Sequence, residues 1–285
     1  MVIEENHDPQ GLPINRDIMF SNHKGVYKKG VEKRQAKLLK KVPFIKSFLM
    51  EGEEIQTITT GCSPITVLEQ LLMGWVVFYV KRSLFVFTDK RIFHIPAKTD
   101  FSYRSSIAQV AYWDCKSIKI KGRSLVVEYA DGKKEKFYYM AAKEKKKLKT
   151  LFKDMSFADY QAKTEKRVHL CPRCTEKLEA DRYTCSNCDL EFKNKEKARK
   201  ISILFPGGGY FYTGHPFLGL GDAITETVLI ILLVTAIADA LKQSAYEGGF
   251  FIGILLIIEK IITVYDSNKF IDEYIPLEKE IKAIA

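Results

Sequence analysis

The sequence predicts a multidomain α+β protein, and three observations support this fold class. Residues 51 to about 155 alternate between apolar and polar side chains, with turn signals between the runs, which is typical of β-strands. Two Cys-x-x-Cys pairs follow, and after residue 201 the chain contains its two longest apolar blocks. These stretches predict a β-rich domain, a small cysteine module and a pair of apolar helices, in that order.

The charge of the chain indicates an anionic partner. The 285 residues carry a net charge of +10, with 45 Lys and Arg against 35 Asp and Glu. Such an excess favours either lipid headgroups or nucleic acid. One basic cluster stands directly before the apolar blocks, where membrane proteins keep cytoplasmic positive charge: Lys193, Lys195, Lys197, Arg199 and Lys200.

The N-terminal part is expected to be polar and partly unstructured. Residues 1–23 have no periodic apolar face and no apolar signal-peptide core, so we expect them to be disordered and the cysteines to meet a reducing cytosol. Residues 24–48 form a basic helix in this interpretation, with Val31, Leu38, Leu39 and Val42 on one face. That helix could lie on an anionic membrane or pack on the next domain.

Residues 49–155 are predicted to fold as strands closed by a helix. Turns are expected at Gly122-Arg123 and at Asp131-Gly132, because glycine and aspartate tolerate the backbone of tight hairpins. A helix over residues 141–152 would place Leu148, Leu151 and Phe152 against an open end of the sheet. Residues 65–80 are more apolar than a hairpin needs, and we expect a short helix that leads into a strand, with contact to a membrane interface as an alternative.

This domain resembles the bacterial pleckstrin-homology-like (PH-like) and GRAM-like families. The resemblance rests on residues 49–55 and on the strand pair at residues 84–93, which contains Thr88-Asp89-Lys90-Arg91. It implies a β-barrel with a C-terminal helix that binds a protein or a headgroup. Four basic residues near the strand pair are candidate contacts for an anionic ligand, although a solvated turn is the favoured explanation: Lys81, Arg82, Lys90 and Arg91.

The cysteine module is predicted to hold a structural metal ion. After a linker at residues 156–170, the module covers residues 171–192 and contains Cys171, Cys174, Cys185 and Cys188. Two pairs at this spacing complete a closed tetrahedral Zn²⁺ site with no open position for substrate. A disulfide, a redox pair and a rubredoxin-type iron site are the alternatives.

The module also resembles short zinc ribbons that occur beside bacterial membrane segments. Ribbons of that kind usually carry glycine after each cysteine pair, whereas this chain has Thr175 and Asp189 there. We expect the first pair to be the less regular one, because threonine tolerates a positive φ poorly. Leu178, Tyr183 and Phe192 are the expected miniature core.

The final region predicts a helical membrane hairpin. A basic juxtamembrane segment at residues 193–200 precedes a hairpin at residues 201–266, and a cytoplasmic tail at residues 267–285 follows. The acids Asp222, Glu226 and Glu259 lie inside these blocks, either as functional intramembrane groups or in the headgroup zone. Because the loop between the blocks carries only Lys242, both termini are expected in the cytoplasm.

The glycine-rich entry to this region resembles the two-transmembrane (TM-two) hairpin family. The matching residues are Gly207, Gly209, Phe211, Tyr212, Gly214 and Gly219, with Asp266 near the position of that family's late acidic residue. Pro206 and the acids depart from the pattern. They leave open two spans, or two spans with a short re-entrant piece at residues 201–205.

The sequence favours a binding protein over an enzyme. It contains no recognisable catalytic grouping and no dinucleotide or phosphate-binding fingerprint. The leading hypothesis is a protein anchored in the bacterial cytoplasmic membrane, whose PH-like domain binds a protein or anionic headgroups. Nucleic-acid binding through the ribbon is the less favoured alternative, because the ribbon is nearly neutral, and a transporter or proton relay through the acids is another.

Overall fold

The computed structural model of this chain describes residues 11–153, 155, 166–243 and 247–277. The chain divides into two compact units, one that extends to Leu190 and one that begins at Glu191. The first unit contains strands and short helices, and the second contains helices. The predicted α+β class is confirmed at this level.

The first unit contains two antiparallel sheets. The strands are β1 (Ile55–Cys62), β2 (Arg82–Thr88), β3 (Arg91–Pro96), β4 (Ile107–Ala111), β5 (Cys115–Lys121), β6 (Ser124–Tyr129), β7 (Lys134–Phe137) and β8 (Val168–Leu170). One sheet has the order β1-β2-β3-β4-β8 and the other the order β5-β6-β7. The expected turns are present, with Gly122 and Gly132 at positive φ between β5 and β6 and between β6 and β7. The described residues do not form a closed barrel. An isolated antiparallel bridge between Cys62 and Tyr138 connects the two sheets.

Short helices surround these sheets. They are α1 (Arg16–Met19), α2 (Lys29–Leu39), α3 (Val67–Met73), α4 (Val77–Val80) and α5 (Lys145–Lys153). The larger sheet is buried on both faces, which explains why its central strands are almost continuously apolar. In β2, Leu84 and Val86 enter one core while Phe85 and Phe87 enter the other. The predicted closing helix occupies the second core through Leu148 and Phe152 of α5.

The expectation of a disordered N-terminus is wrong from residue 11 onward, and residues 1–10 lie outside the described chain. Leu12, Ile14 and Met19 are completely buried in the core on the first face of the larger sheet. These side chains are too few and too irregularly spaced to form a periodic pattern, so sequence analysis missed them. They are ordered because they cover a face that the smaller sheet leaves open.

The basic helix packs on the domain rather than presenting its apolar face to solvent. Leu39 and Val42 are buried in the same core, and Gln35 exchanges two hydrogen bonds with the backbone of Ile58 in β1, at 2.9 and 3.0 Å. Because both the donor and the acceptor of the buried Gln35 side-chain amide are hydrogen-bonded to β1, this residue fixes the position of α2 on the sheet. Of the two alternatives for this helix, the structure therefore shows packing on the next domain.

The Thr-Asp-Lys-Arg turn is bound to the segment that precedes β1. The Thr88 hydroxyl accepts the amides of Lys90 and Arg91 and donates to Glu53 at 2.7 Å. Asp89 accepts the amide of Glu54 at 3.0 Å. Both segments that carry the PH-like resemblance therefore form one hydrogen-bonded network.

The second unit consists of four helices, α6 (Lys195–Leu204), α7 (Gly208–Tyr212), α8 (Pro216–Gln243) and α9 (Glu247–Ile271). Helices α8 and α9 run antiparallel, since Leu233 lies beside Gly253 and Asp222 beside Thr263. Among the described residues, Pro216–Leu241 is the helix that is long and apolar enough to cross a membrane, with 26 residues and a mean hydropathy of 2.1. Helix α9 carries Glu259 and Lys260 in its apolar stretch.

The glycine run before α8 allows close helix contact. A Cβ atom on Gly207 would lie 2.1 Å from the carbonyl oxygen of Gly219, and one on Gly209 would lie 2.1 Å from Ser202 Oγ. Gly207 also has a φ of 68°, which glycine adopts without strain. Close packing is therefore the structural reason for these glycines.

Candidate metal centre

The four predicted cysteine ligands converge on one point. The sulfurs of Cys171 and Cys188 are 3.5 Å apart, as are those of Cys174 and Cys185, and all four lie within 4.8 Å of one another. A tetrahedral Zn²⁺ site with Zn–S bonds of about 2.3 Å separates its sulfurs by roughly 3.8 Å. The sulfurs are thus close enough to hold a metal ion.

Each Cys-x-x-Cys pair is held by a tight turn. The amide of Thr175 donates to the carbonyl oxygen of Cys171 at 2.9 Å, and the amide of Asp189 donates to that of Cys185 at 3.1 Å. Thr175 and Asp189 adopt φ values of 64° and 55°. The left-handed conformation therefore occurs directly after both cysteine pairs, and Thr175 is the strained residue because it is β-branched.

The donor set fits a soft or borderline cation. Burial is the main cause that raises the pKa of the Cys171 thiol above its usual range, so this sulfur needs a bound cation to be stable as a thiolate. Four sulfur ligands leave no coordination position for water, which is typical of a structural site rather than a catalytic one.

The cysteine module begins with a strand of the larger sheet. Predicted as linker, Val168–Leu170 instead forms β8 and pairs with β4, and Leu170 is buried in the first core. Residues 156–165 lie outside the described chain. Of the expected core of the module, Leu178 and Tyr183 are only half-buried, and Phe192 belongs to the second unit, where it packs edge-on against Tyr274 at 5.8 Å.

The four basic candidates near the strand pair β2–β3 do not form one site. Lys81 pairs with Glu69 at 2.7 Å and Arg91 pairs with Glu53 at 2.8 Å, and all four of these side chains are buried. Their charges are therefore compensated inside the protein.

The other two candidates lie at opposite ends of β2. Arg82 begins the strand, whereas Lys90 follows its last residue and donates to the carbonyl oxygen of Glu51 at 2.9 Å. The strand of seven residues separates them by roughly 20 Å. One small anion cannot contact both.

Arg82 instead lines an open groove of about 440 Å³. Its guanidinium lies 4.6 Å from the ring of Tyr79 and 5.3 Å from that of Phe101. Tyr139 also lines the groove, and its ring lies 5.6 Å from the guanidinium of Arg123. Phe101 and Tyr139 both have positive φ, at 61° and 55°, which is uncommon for aromatic residues and is often found at functional sites.

The three candidate acids come together in the second unit. Oxygen atoms of Asp222, Glu226 and Glu259 lie within 4.8 Å of one another. Glu226 is completely buried and pairs with Lys260 at 2.5 Å. The Thr263 hydroxyl lies within hydrogen-bond distance of both Asp222 and Glu259, at 3.1 and 2.8 Å, and can donate its one proton to either. Three carboxylates share one ammonium group here, so the cluster carries an excess of negative charge.

Sequence analysis missed Lys260 and Thr263 as partners of these acids. Lys260 also donates to the carbonyl oxygen of Ser202 at 2.7 Å, which connects α9 to α6. Asp222 and Glu226 are four residues apart and therefore lie on one face of α8. Nothing in the local sequence indicates which residues of another helix that face contacts.

A serine–histidine contact that spacing did not reveal lies inside the first unit. Ser63 Oγ is 2.9 Å and Ser83 Oγ is 3.0 Å from His94 Nε2, and all three residues are buried. These contacts satisfy polar groups within the core.

Comparison of this chain with protein-family models, with curated proteins and with solved structures finds no match.

Proposed function

We propose that this protein is a membrane-anchored interaction protein of the bacterial cytoplasmic membrane. In this proposal α8 and α9 form a hairpin anchor, the cysteines hold a structural Zn²⁺ ion, and the PH-like domain binds a protein partner at the cytoplasmic face. Both termini lie in the cytoplasm.

The exposed apolar surface of α8 carries the proposal. Only 11% of its most apolar 18-residue window is buried, and side chains such as Ile231 and Val234 are 57% and 61% exposed. On α9, Phe250 and Ile261 are 74% and 63% exposed. A water-soluble monomer rarely exposes so large an apolar surface, whereas hydrocarbon solvates it without cost.

The distribution of charge supports the orientation. The basic residues of segment 193–200 and of α6 precede the helix pair, while Lys242 is the basic residue near the connection between α8 and α9. An excess of Lys and Arg on one side of a span marks the cytoplasmic side.

Insertion of the helix pair into the bilayer is tested by washing membranes that contain the full-length protein. We expect the protein to remain in the membrane pellet after high salt and after alkaline carbonate. Release by carbonate would overturn the anchor, and release by salt alone would indicate peripheral binding to lipid or nucleic acid.

The binding role is tested by crosslinking and capture of partners in intact membranes. The control is Arg91→Leu, which leaves Glu53 buried without its cation and should therefore unfold the domain while the anchor stays in the bilayer. We expect specific partners with the native chain and their loss in this variant. Equal capture by both proteins would contradict a role for the PH-like domain.

The acid cluster favours a second candidate function, which is movement of protons or cations. Its three carboxylates and Lys260 lie between helices that also carry the candidate span. Proteoliposomes that contain the full chain and a pH-sensitive dye would show a proton leak relative to empty vesicles. A Glu259→Gln variant that inserts normally should abolish that leak, and a leak that persists in this variant would exclude Glu259 from the path.

A further inference from the structure

We propose that the outer face of residues 67–79 is a second membrane contact, which docks on the surface of an anionic bilayer. The apolar side chains of this face would enter the headgroup region, while Arg82 and Arg123 would meet lipid phosphates. This inference deepens the proposed function, on which it rests, because it assumes that the chain resides at a membrane.

The face is an apolar stripe made of exposed side chains on α3, on the 3-10 turn Gly74–Val76 and on α4. Val67, Leu71, Trp75 and Tyr79 follow one another at intervals of four residues and are 87%, 78%, 69% and 44% exposed. Gly74, at a φ of 54°, ends α3, so Val67 and Leu71 share one face of that helix. The rings of Trp75 and Tyr79 beyond it pack edge-on at 5.5 Å. A continuous exposed stripe that includes large aromatic rings marks a binding surface rather than a scattered apolar residue.

The segment is held rigidly, and its acidic group points inward. Thr66 and Glu69 form a reciprocal capping box at the start of α3, and Glu69 is 1% exposed where it pairs with Lys81. Glu69 is the only acid between residues 65 and 80. The exposed face is therefore apolar without negative charge, and its order does not depend on a partner.

Cationic and aromatic groups border the stripe. The groove beside Tyr79 is lined by aromatic rings and by Arg82, with no Asp or Glu among its lining residues. Arg123 is exposed and lies beside Tyr139, which lines the same groove. Phosphates of anionic lipids complement these guanidinium groups.

The chemistry of the face favours a bilayer over a protein partner. Tryptophan and tyrosine with adjacent Arg are typical of the zone between hydrocarbon and headgroups. The segment is also the stretch that departs from the PH-like pattern, so the resemblance gives it no other role. The same chain carries a candidate span, which would keep this face at high local concentration near a bilayer.

The chain offers a direct test because it contains two tryptophans, Trp75 and Trp113. In a Trp113→Phe protein the fluorescence reports Trp75, and in a Trp75→Phe protein it reports Trp113, which is 40% exposed and serves as the matched control. Both full-length variants are reconstituted into phosphatidylglycerol-containing vesicles whose acyl chains carry bromine near the headgroup. We expect quenching of Trp75 by about twofold or more and little quenching of Trp113, because an interfacial ring lies within reach of these bromines.

Substitutions test the stripe without disturbing a core. Leu71→Glu, made in the Trp113→Phe protein, should abolish the quenching of Trp75, whereas Val26→Glu, at a position that is 51% exposed elsewhere on the same unit, should leave it unchanged. Purely zwitterionic vesicles should reduce the quenching. Quenching of equal size without anionic lipid would overturn the contribution of the arginines.

The inference and the proposed function fail in different ways. Loss of the protein from carbonate-washed vesicles would contradict the anchor itself. Retention of the protein, with Trp75 unquenched and as accessible to iodide as in detergent, would overturn the docking face and leave the anchor intact. A Trp75 blue shift that depends on protein concentration in detergent would identify a second copy of this chain as the occupant and would overturn the lipid proposal.

Discussion

The cysteine cluster and the carboxylate cluster are both groups of potential cation ligands, but they are assembled in different ways. Cys171 and Cys188 are 17 positions apart, and two tight turns bring the four sulfurs together. Glu226 and Lys260 are 34 positions apart and meet only because α8 packs against α9. The first cluster is set by local spacing and the second by helix packing, so the two should respond differently to substitution.

The largest expected effect is loss of metal from the cysteine cluster. Cys174→Ser removes one of four ligands, and we expect bound Zn²⁺ to fall from about one per chain to below about a tenth, because structural zinc depends on the complete ligand set. Metal analysis of the purified protein measures this and distinguishes zinc from iron. The control is Cys115→Ala, which removes a buried thiol outside the cluster; equal metal content in both variants would contradict the site.

The second-largest expected effect is a difference in stability between substitutions of two acids in the carboxylate cluster, Glu226 and Glu259. Glu226→Gln leaves Lys260 without its buried partner and should destabilise the second unit by about 3–5 kcal/mol. Glu259→Gln removes excess negative charge and should change stability by less than about 1 kcal/mol. Thermal unfolding of the detergent-solubilised proteins compares them, and equal losses would show that Lys260 does not distinguish the two acids.

A smaller effect is expected where the helices approach each other. Gly209→Ala places a methyl group against the hydroxyls of Ser202 and Ser267 and should cost about 1–3 kcal/mol, since Ser202 Oγ would have to leave the hydrogen bond that it donates to the carbonyl oxygen of Ala198. Gly221→Ala adds a methyl group in α8 where no atom lies within 4 Å, so it should be neutral or stabilising by up to about 1 kcal/mol. The same thermal assay tests both, and a tolerated Gly209→Ala would argue against tight packing.

The smallest effect concerns the turn of the first cysteine pair. Thr175→Gly replaces a β-branched residue that is strained at positive φ with one that adopts this conformation without strain. Glycine also loses more backbone entropy on folding, so we expect a net gain of only about twofold in zinc affinity. Asp189→Gly should increase the zinc affinity less, because aspartate tolerates a positive φ better than threonine does. Competition with a chelator measures both affinities; a larger gain at Asp189 would reverse the expected order.

Several parts of the fold could be predicted from the sequence. The turns at Gly122 and Gly132, the helix with Leu148 and Phe152, and the convergence of four cysteines each depend on residues close in the chain. The buried N-terminal segment and the fifth strand of the larger sheet were missed, because Leu12, Ile14 and Val168–Leu170 are short apolar groups whose partners lie far away in sequence. The buried ion pairs of Lys81 and Arg91 were missed for the same reason, since their partners Glu69 and Glu53 belong to other segments of the chain.

The sequence by itself determined the order of a β-rich region, a four-cysteine module and apolar helices, because period, turn residues and ligand spacing are local properties of the chain. Only the tertiary structure decided that residues from 11 onward cover a sheet, that Lys260 joins the acids, and that an apolar stripe at residues 67–79 stays exposed beside arginines. Those outcomes depend on which surfaces remain uncovered after the strands and helices pack, and packing involves side chains that no local pattern connects.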